Sequence, residues 1–232
     1  MEATADLAAL RLPEGTRLLH IGPPKTGTTT IQAAFHAEGR ALASLGVHYA
    51  GRTRHSRRAV FAVTGRRWLG GEPPPITEWT SLVAEIRAAS APRVVLSSEA
   101  FAQADESQIR RVIDDLDAGR VHVVVTLRPL ASILPSSWQQ SVQTGNDTAY
   151  PDWLAAQLDD DRTTSPRSFW YRHRHDLLIA RWAEVVGPER ITAIVLDGSD
   201  RSRVLRVFEG LTGLPAGTLV ENQDLTNRSM TG

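Results

Sequence analysis

The stretch "LLHIGPPKTGTTTIQAAF", residues 18–35, decides how the rest of the chain is read. It opens as an apolar strand and passes through a tight loop of Gly, Pro and Thr. It then continues with Ile31, Ala34, Phe35, Leu42 and Leu45 at helical spacing. Gly22 and Gly27 permit backbone angles that other residues resist. The first turn of the helix that follows has free N–H groups and a partial positive charge, which together hold anions. Hydroxyls of Thr26, Thr28, Thr29 and Thr30 add donors. Lys25 adds a full charge, and charge-assisted hydrogen bonds contribute about 1.5–3 kcal/mol each. The loop reads as an anion cradle. A plainer reading is a strand-to-helix turn with a threonine cap and a surface lysine. The cradle is favoured because glycines, lysine and threonines sit together directly after an apolar strand. The residue after Gly27 is Thr28, so the loop departs from the G-x-x-x-x-G-K-[ST] pattern of nucleotide triphosphatases.

Working outward, strands are expected over 16–22, 92–99, 120–128 and 190–197. "VVL" and "VHVVV" are near-continuous apolar runs, as in strands covered on both faces. Helices are expected over 28–45, 76–89, 107–116, 130–143 and 173–186. Strands alternating with helices predict an α/β three-layer sandwich, a central parallel sheet flanked by helices, of the P-loop nucleotide-hydrolase-like kind. Ligands then belong at the C-terminal ends of the strands. The 232 residues suit one domain with a core over about 16–230, and "GGEPPP" at 70–75 reads as an inserted loop.

Composition narrows the functional classes. Lys and Arg number 26, as do Asp and Glu. A net charge of zero supplies no global field to steer the chain onto nucleic acid or an anionic membrane. With no cysteine, disulfides, thiolate metal sites and a cysteine nucleophile are excluded, which fits a reducing compartment. "MEATADLAALRLPEG" is a poor secretory signal, and no stretch approaches the roughly 20 apolar residues that span a bilayer. A soluble, cytoplasmic protein without membrane insertion is expected.

"PKTGTT", residues 24–29, resembles the phosphosulfate loop of sulfotransferases that use 3′-phosphoadenosine 5′-phosphosulfate (PAPS). The resemblance implies that Lys25 contacts the 5′-phosphosulfate. It also implies that backbone amides of Thr26, Gly27, Thr28 and Thr29 hold the 5′-phosphate. The family grips the 3′-phosphate with an arginine at a strand end and a serine eight residues later. "TLRPLASILPSSWQQ", residues 126–140, offers Arg128 and Ser136 at that spacing, with Ser132 and Ser137 as rivals. Arg128 brings a planar fork suited to phosphate oxygens, and Pro135 is expected to kink the helix. Taken alone, the pair also reads as a helix-start arginine and a capping serine. Weaker likeness to bacterial sulfotransferase domains extends over 137–158 and 177–197, and over "NRSM" at 227–230, a segment that in such proteins lies near the cofactor.

Sulfuryl transfer needs in-line positioning, stabilisation of the leaving phosphate oxygen and removal of the acceptor's proton. It demands no metal, and no metal-ligand cluster stands out. Glu99, after "VVLSS", is the expected base, although a glutamate there also serves to cap a helix or pair with an arginine. His20 in "LLHIG" is the second candidate, with a satisfied core histidine as its plainer reading. His55 is the third. It lies in "RTRHSRRAVFAVTGRR", residues 52–67, a stretch with no acid that either recruits an anionic acceptor, touches the cofactor or is a solvated basic helix face. The acidic run "LDDDR", 158–162, reads as a solvated turn. The tryptophans read as core or rim, with Trp138 a candidate for the acceptor pocket. The acceptor pocket is expected from loops over 50–75 and 144–171. The acceptor is expected to be a small molecule or carbohydrate carrying a hydroxyl or amine, and sugar, lipid, phenol, peptide and antibiotic scaffolds remain open. The alternative readings are a nucleotide kinase or triphosphatase with a degenerate loop, and a binding module that has lost the chemistry.

Overall fold

Three of the apolar runs become neighbouring strands that bury both faces, and the fourth, at 191–195, takes a half-exposed edge. The computed structural model describes residues 7–67, 71–159, 168–200 and 202–221. Strands β1 (Arg17–His20), β2 (Val47–Tyr49), β3 (Arg93–Ser97), β4 (Val121–Leu127) and β5 (Ile191–Val195) form one sheet in the order β2-β3-β1-β4-β5. Every pairing is parallel. The helices are α1 (Thr28–Ala37), α2 (Gly39–Ser44), α3 (Arg57–Val63), α4 (Thr77–Ala88), α5 (Glu106–Asp115), α6 (Leu130–Gln143), α7 (Tyr150–Leu158), α8 (Phe169–His173), α9 (His175–Val186) and α10 (Arg203–Thr212).

Successive strand residues point to opposite faces, and the two hydrophobic cores divide by that parity. Leu19, Val94, Leu96, Val123 and Val125 pack with α3, α4, α5 and α9. Leu18, Val95 and Val124 pack with Ile31 and Phe35 of α1 and with Leu205 and Phe208 of α10. The result is the three-layer α/β architecture expected from the sequence. β1 sits at the centre with β3 on one side and β4 on the other, so the chain crosses over at the end of β1. That is where parallel sheets open a crevice for ligands.

Several elements differ from expectation for local reasons. The single helix expected over 28–45 divides at Glu38 (φ −93°, ψ 8°) into α1 and α2, and Leu42 still reaches the α1 core. The helix expected from 173 starts at His175, because Arg174 leaves helical geometry (ψ 88°). A capping box starts α5: Asp105 accepts from the Gln108 N–H at 2.9 Å, and the Gln108 side chain accepts from the Asp105 N–H at 3.0 Å. β2, α7, α8 and α10 were not expected as elements, and α3 falls in the 52–67 stretch where a solvated basic helix face was one reading, although it buries Ala59, Val60, Phe61 and Val63. β2 has three residues, too few for a period to be read. Pro135 does lie inside α6, in the second turn. Trp68, residues 160–162 of the acidic run and the 227–230 segment lie outside the described residues. Among the described residues, no helix is long and apolar enough to cross a membrane.

Phe101 stands edge-on to two fully buried tryptophans, Trp79 at 6.4 Å and Trp182 at 6.2 Å. Trp79 Nε1 donates to Asp115 Oδ2 at 2.7 Å, whereas Trp182 Nε1 is buried with no partner. Replacing each tryptophan by phenylalanine removes similar apolar area but only one hydrogen bond. Urea unfolding is therefore expected to find Trp79→Phe more destabilising than Trp182→Phe by about 1 kcal/mol. Equal losses would mean that the Asp115 bond contributes nothing.

Candidate functional site

The loop after β1 is tied down from below by an uncharged hydrogen-bond chain. His20 Nδ1 lies 2.8 Å from Ser97 Oγ at the end of β3, and its Nε2 lies 3.1 Å from Thr126 Oγ1 in β4. Thr126 Oγ1 is 2.9 Å from Thr26 Oγ1, which donates to the Pro23 carbonyl at 2.7 Å. Each hydroxyl has one proton to give. Thr26 gives its proton to Pro23, so Thr126 must donate to Thr26, His20 Nε2–H to Thr126, and Ser97 to His20 Nδ1. One proton assignment satisfies every contact. His20, Thr26 and Thr126 are all completely buried. Burial holds the His20 ring neutral, with its pKa pushed down to about 3. His20 is thus sealed beneath the loop with both nitrogens occupied. As an acceptor base it has no route to the surface, and its place is structural.

This packing explains Gly22. A Cβ there would stand 2.2 Å from Thr126 Oγ1 and 2.6 Å from His20 Nε2. Beyond it the backbone turns left-handed twice, at Lys25 (φ 70°) and Gly27 (φ 75°). A left-handed lysine is uncommon and costs energy, which makes it a marker of a functional turn. Turns of this kind bring N–H groups to one side and form anion-binding concavities. Gly27 caps α1 without any side-chain bond, so the first N–H groups of the helix open toward the loop. Leu196 packs on Gly27, its Cδ1 being 3.3 Å from where a Cβ would be.

Arg128 follows β4 directly and reaches the same loop. Its Nη1 donates to the Lys25 carbonyl at 3.3 Å. Pro129 caps α6, and Ser132 and Ser136 follow one turn apart on a single helix face. Lys25, Thr28, Thr29, Arg128, Ser132 and Ser136 line one open cleft of about 1070 Å³, with Ser137 also on its wall. The Lys25 pKa is lowered by burial and by Arg128 and is partly restored by Glu99.

Glu99 also acts on Lys25. β3 ends at Ser97, Ser98 caps a short 3₁₀ turn over Glu99–Gln103, and Glu99 enters the cleft from its first position. It also pairs with Arg57 of α3 at 3.6 Å. His55 lines the cleft but is held at both nitrogens. Arg54 Nε donates to its Nε2 at 3.0 Å, so Nδ1 carries the proton and donates to Gln32 Oε1 at 2.6 Å. Gln32 Nε2 in turn donates to the Ser97 carbonyl at 3.1 Å. Burial, then Arg54 and Arg57, push the His55 pKa down to about 4.

Gln32, Arg172 and His173 escape the sequence reading. Gln32 orients His55 from α1. Arg172 and His173 come from α8, beyond the loop expected to build the pocket, and both line the cleft. The basic run "RHRH" at 172–175 was their signal, absorbed into the start of an expected helix. Trp138, by contrast, turns away: its Nε1 donates to the Thr148 carbonyl at 3.0 Å and its ring meets Tyr150 edge-on at 5.4 Å.

No family model matches the chain, and no curated protein matches it. Among solved structures it is similar to the crystal structure of a sulfotransferase from Alicyclobacillus acidocaldarius. The two are 12% identical, the match covers 93% of this chain and 87% of that chain, and the TM-score is 0.59. At that identity the likeness is one of fold.

The buried histidines predict acid sensitivity of stability. An unfolded histidine titrates near 6.5, whereas His20 stays neutral to about 3. Between those values the unfolded chain binds more protons. The stability due to neutral His20 is complete above pH 6.5 and is lost as pH falls toward 3. His173, lowered to about 3 by burial and by Arg172, acts in the same direction. Each such group contributes a slope of about 1.4 kcal/mol per pH unit in that window. Denaturation midpoints measured from pH 7 to 4.5 are expected to fall, and His20→Gln is expected to remove about one proton from the slope. An unchanged slope in the variant would contradict the assignment.

Proposed function

We propose that this chain transfers a sulfuryl group from PAPS to a hydroxyl or amine of a small-molecule or carbohydrate acceptor. The observation that carries the reading is the meeting of Lys25 and Arg128. They arrive from the ends of two adjacent strands and line one cleft, with Arg128 bonded to the Lys25 carbonyl. Two separated phosphate-gripping groups suit a nucleotide with phosphates at both 3′ and 5′ positions. The fold it shares with a known sulfotransferase supports the same reading.

The donor set fits such a nucleotide. Thr28 Oγ1 is buried with no hydrogen-bond partner, an orphaned hydroxyl beside the anion-binding loop. Thr26, Gly27, Thr28 and Thr29 would hold the 5′-phosphate through their amides, and Arg128 with Ser136 would hold the 3′-phosphate. PAPS supplies an activated sulfur whose bond to the phosphate oxygen breaks during transfer. Lys25 offers its ammonium to the charge that grows on that leaving oxygen. Glu99 takes the acceptor's proton, held in orientation by Arg57 at 3.6 Å. The kinase alternative places no lysine after Gly27 and gains no support from the loop.

Calorimetry with 3′,5′-ADP, the desulfated product, tests the reading. Association is expected, and Arg128→Ala is expected to weaken it about 10- to 150-fold, the loss of one charge-assisted contact. With PAPS and an acceptor, Glu99→Gln is expected to lose about 10²–10⁴-fold in turnover while still binding 3′,5′-ADP. Lys25→Ala is expected to abolish transfer. No heat with 3′,5′-ADP, or stronger thermal stabilisation by Mg-ATP, would overturn the proposal.

A further inference from the structure

The electrostatic neighbours order the cleft. Arg128 acts on Lys25, and Lys25 is acted on by Glu99. Beyond Glu99 come three guanidiniums: Arg57, Arg66 and Arg172. Glu99 is the carboxylate that acts on both Arg66 and Arg172, and Arg66 in turn acts on Arg172. Among the described residues, Glu99 is thus the carboxylate that acts on Lys25, Arg66 and Arg172 and pairs with Arg57; Asp197, Asp200 and Glu221 line the same cleft but do not act on Arg66 or Arg172. Although the chain has zero net charge, the described residues lining the cleft include six lysine and arginine side chains and four carboxylates, an excess of positive charge.

The arginine side of Glu99 is built rather than loose. The Arg66 N–H donates to the Phe61 carbonyl at 2.9 Å, tying residue 66 to the end of α3. Its guanidinium lies over the Phe61 ring, 4.6 Å from the centroid, so its N–H edge is left to face a planar oxyanion. Arg172 is anchored from α8, its Nε donating to the Ser168 carbonyl at 3.2 Å. Next to it, His173 Nδ1 is buried without a partner, and the residue is 2% exposed. Holding like charges together in a partly desolvated pocket is unfavourable without an anion to share. A single glutamate that must also serve the acceptor does not meet that need.

We infer that the acceptor is itself an anion, a hydroxyl- or amine-bearing acid. Its carboxylate, sulfate or phosphate group lodges between Arg66 and Arg172 while its nucleophile faces Glu99. The inference rests on the transferase reading and deepens it by naming the charge class of the acceptor. Arg128 and Lys25 take the nucleotide's phosphates, and the arginines beyond Glu99 take the acceptor's.

The probes are sodium sulfate, phosphate and acetate, added to protein saturated with 3′,5′-ADP at ionic strength balanced with chloride. At about ten times its dissociation constant, a bound anion should raise Tm by about 3 °C or more. The anion with the largest rise names the acceptor's acidic group. Arg66→Gln and Arg172→Gln, each compared with its own melting point in chloride, are expected to lose most of that rise, and Arg172→Lys to keep part of it. A rise no greater than chloride gives, or one that survives in both glutamine variants, would overturn the inference. Failure of the transferase reading looks different: 3′,5′-ADP then gives no heat. The same titration on Lys25→Ala, Arg128→Ala protein still reads the arginine pair by itself.

Discussion

The cleft depends on one buried constraint, the neutral hydrogen-bond chain from Ser97 through His20 and Thr126 to Thr26. It crosses three neighbouring strands and ends inside the loop. Because each hydroxyl has a single proton, the chain has one consistent direction, and the loop has one seat on the sheet. A charged group in this position would need a buried counterion, and an apolar one would leave the Ser97 hydroxyl without this acceptor, at a cost of about 1–3 kcal/mol. A neutral histidine bridges three strands at no electrostatic cost. The close approach it requires leaves room only for glycine at position 22.

Above that uncharged floor the site is strongly charged. Lys25, on its left-handed turn, comes under the charge of both Glu99 and Arg128. The two sides differ in construction. On the α6 side, one arginine is backed by serine hydroxyls in successive turns. On the α3 and α8 side, several arginines surround one glutamate. Histidines lie close to both layers, yet burial and neighbouring cations keep His20, His55 and His173 neutral. This leaves Glu99 as the carboxylate that acts on Lys25 and gives the histidines positional work.

The parts of this arrangement that were legible in the sequence are local. A loop between a strand and a helix carries its anion-binding chemistry in contiguous residues, so "GPPKTGTTT" announces itself. Arg128 follows an apolar strand, and Ser136 follows on its helix at a fixed spacing, so that pair is legible as well. Apolar runs of β1, β3 and β4 stand out because both faces of each are covered, and β5 stands out by its β-branched run although it is a half-exposed edge strand. Three-residue β2 carries no period, and α3 hides within a stretch dense in arginine. α10 has an amphipathic pattern, with Val204, Leu205, Phe208 and Leu211 buried, that was open to reading and was passed over.

The sequence by itself determined the strand–loop–helix turn with its glycines, lysine and threonines and the parallel α/β class, because these follow from periodicity and from neighbours in the chain. Only the tertiary structure decided which histidines are sealed and which carboxylate acts on Lys25. It alone brought Arg172 from α8 to Arg66 near α3. Burial and long-range charge proximity are properties of packed elements, and residues separated by a hundred positions acquire them only when sheet order brings their helices to one edge.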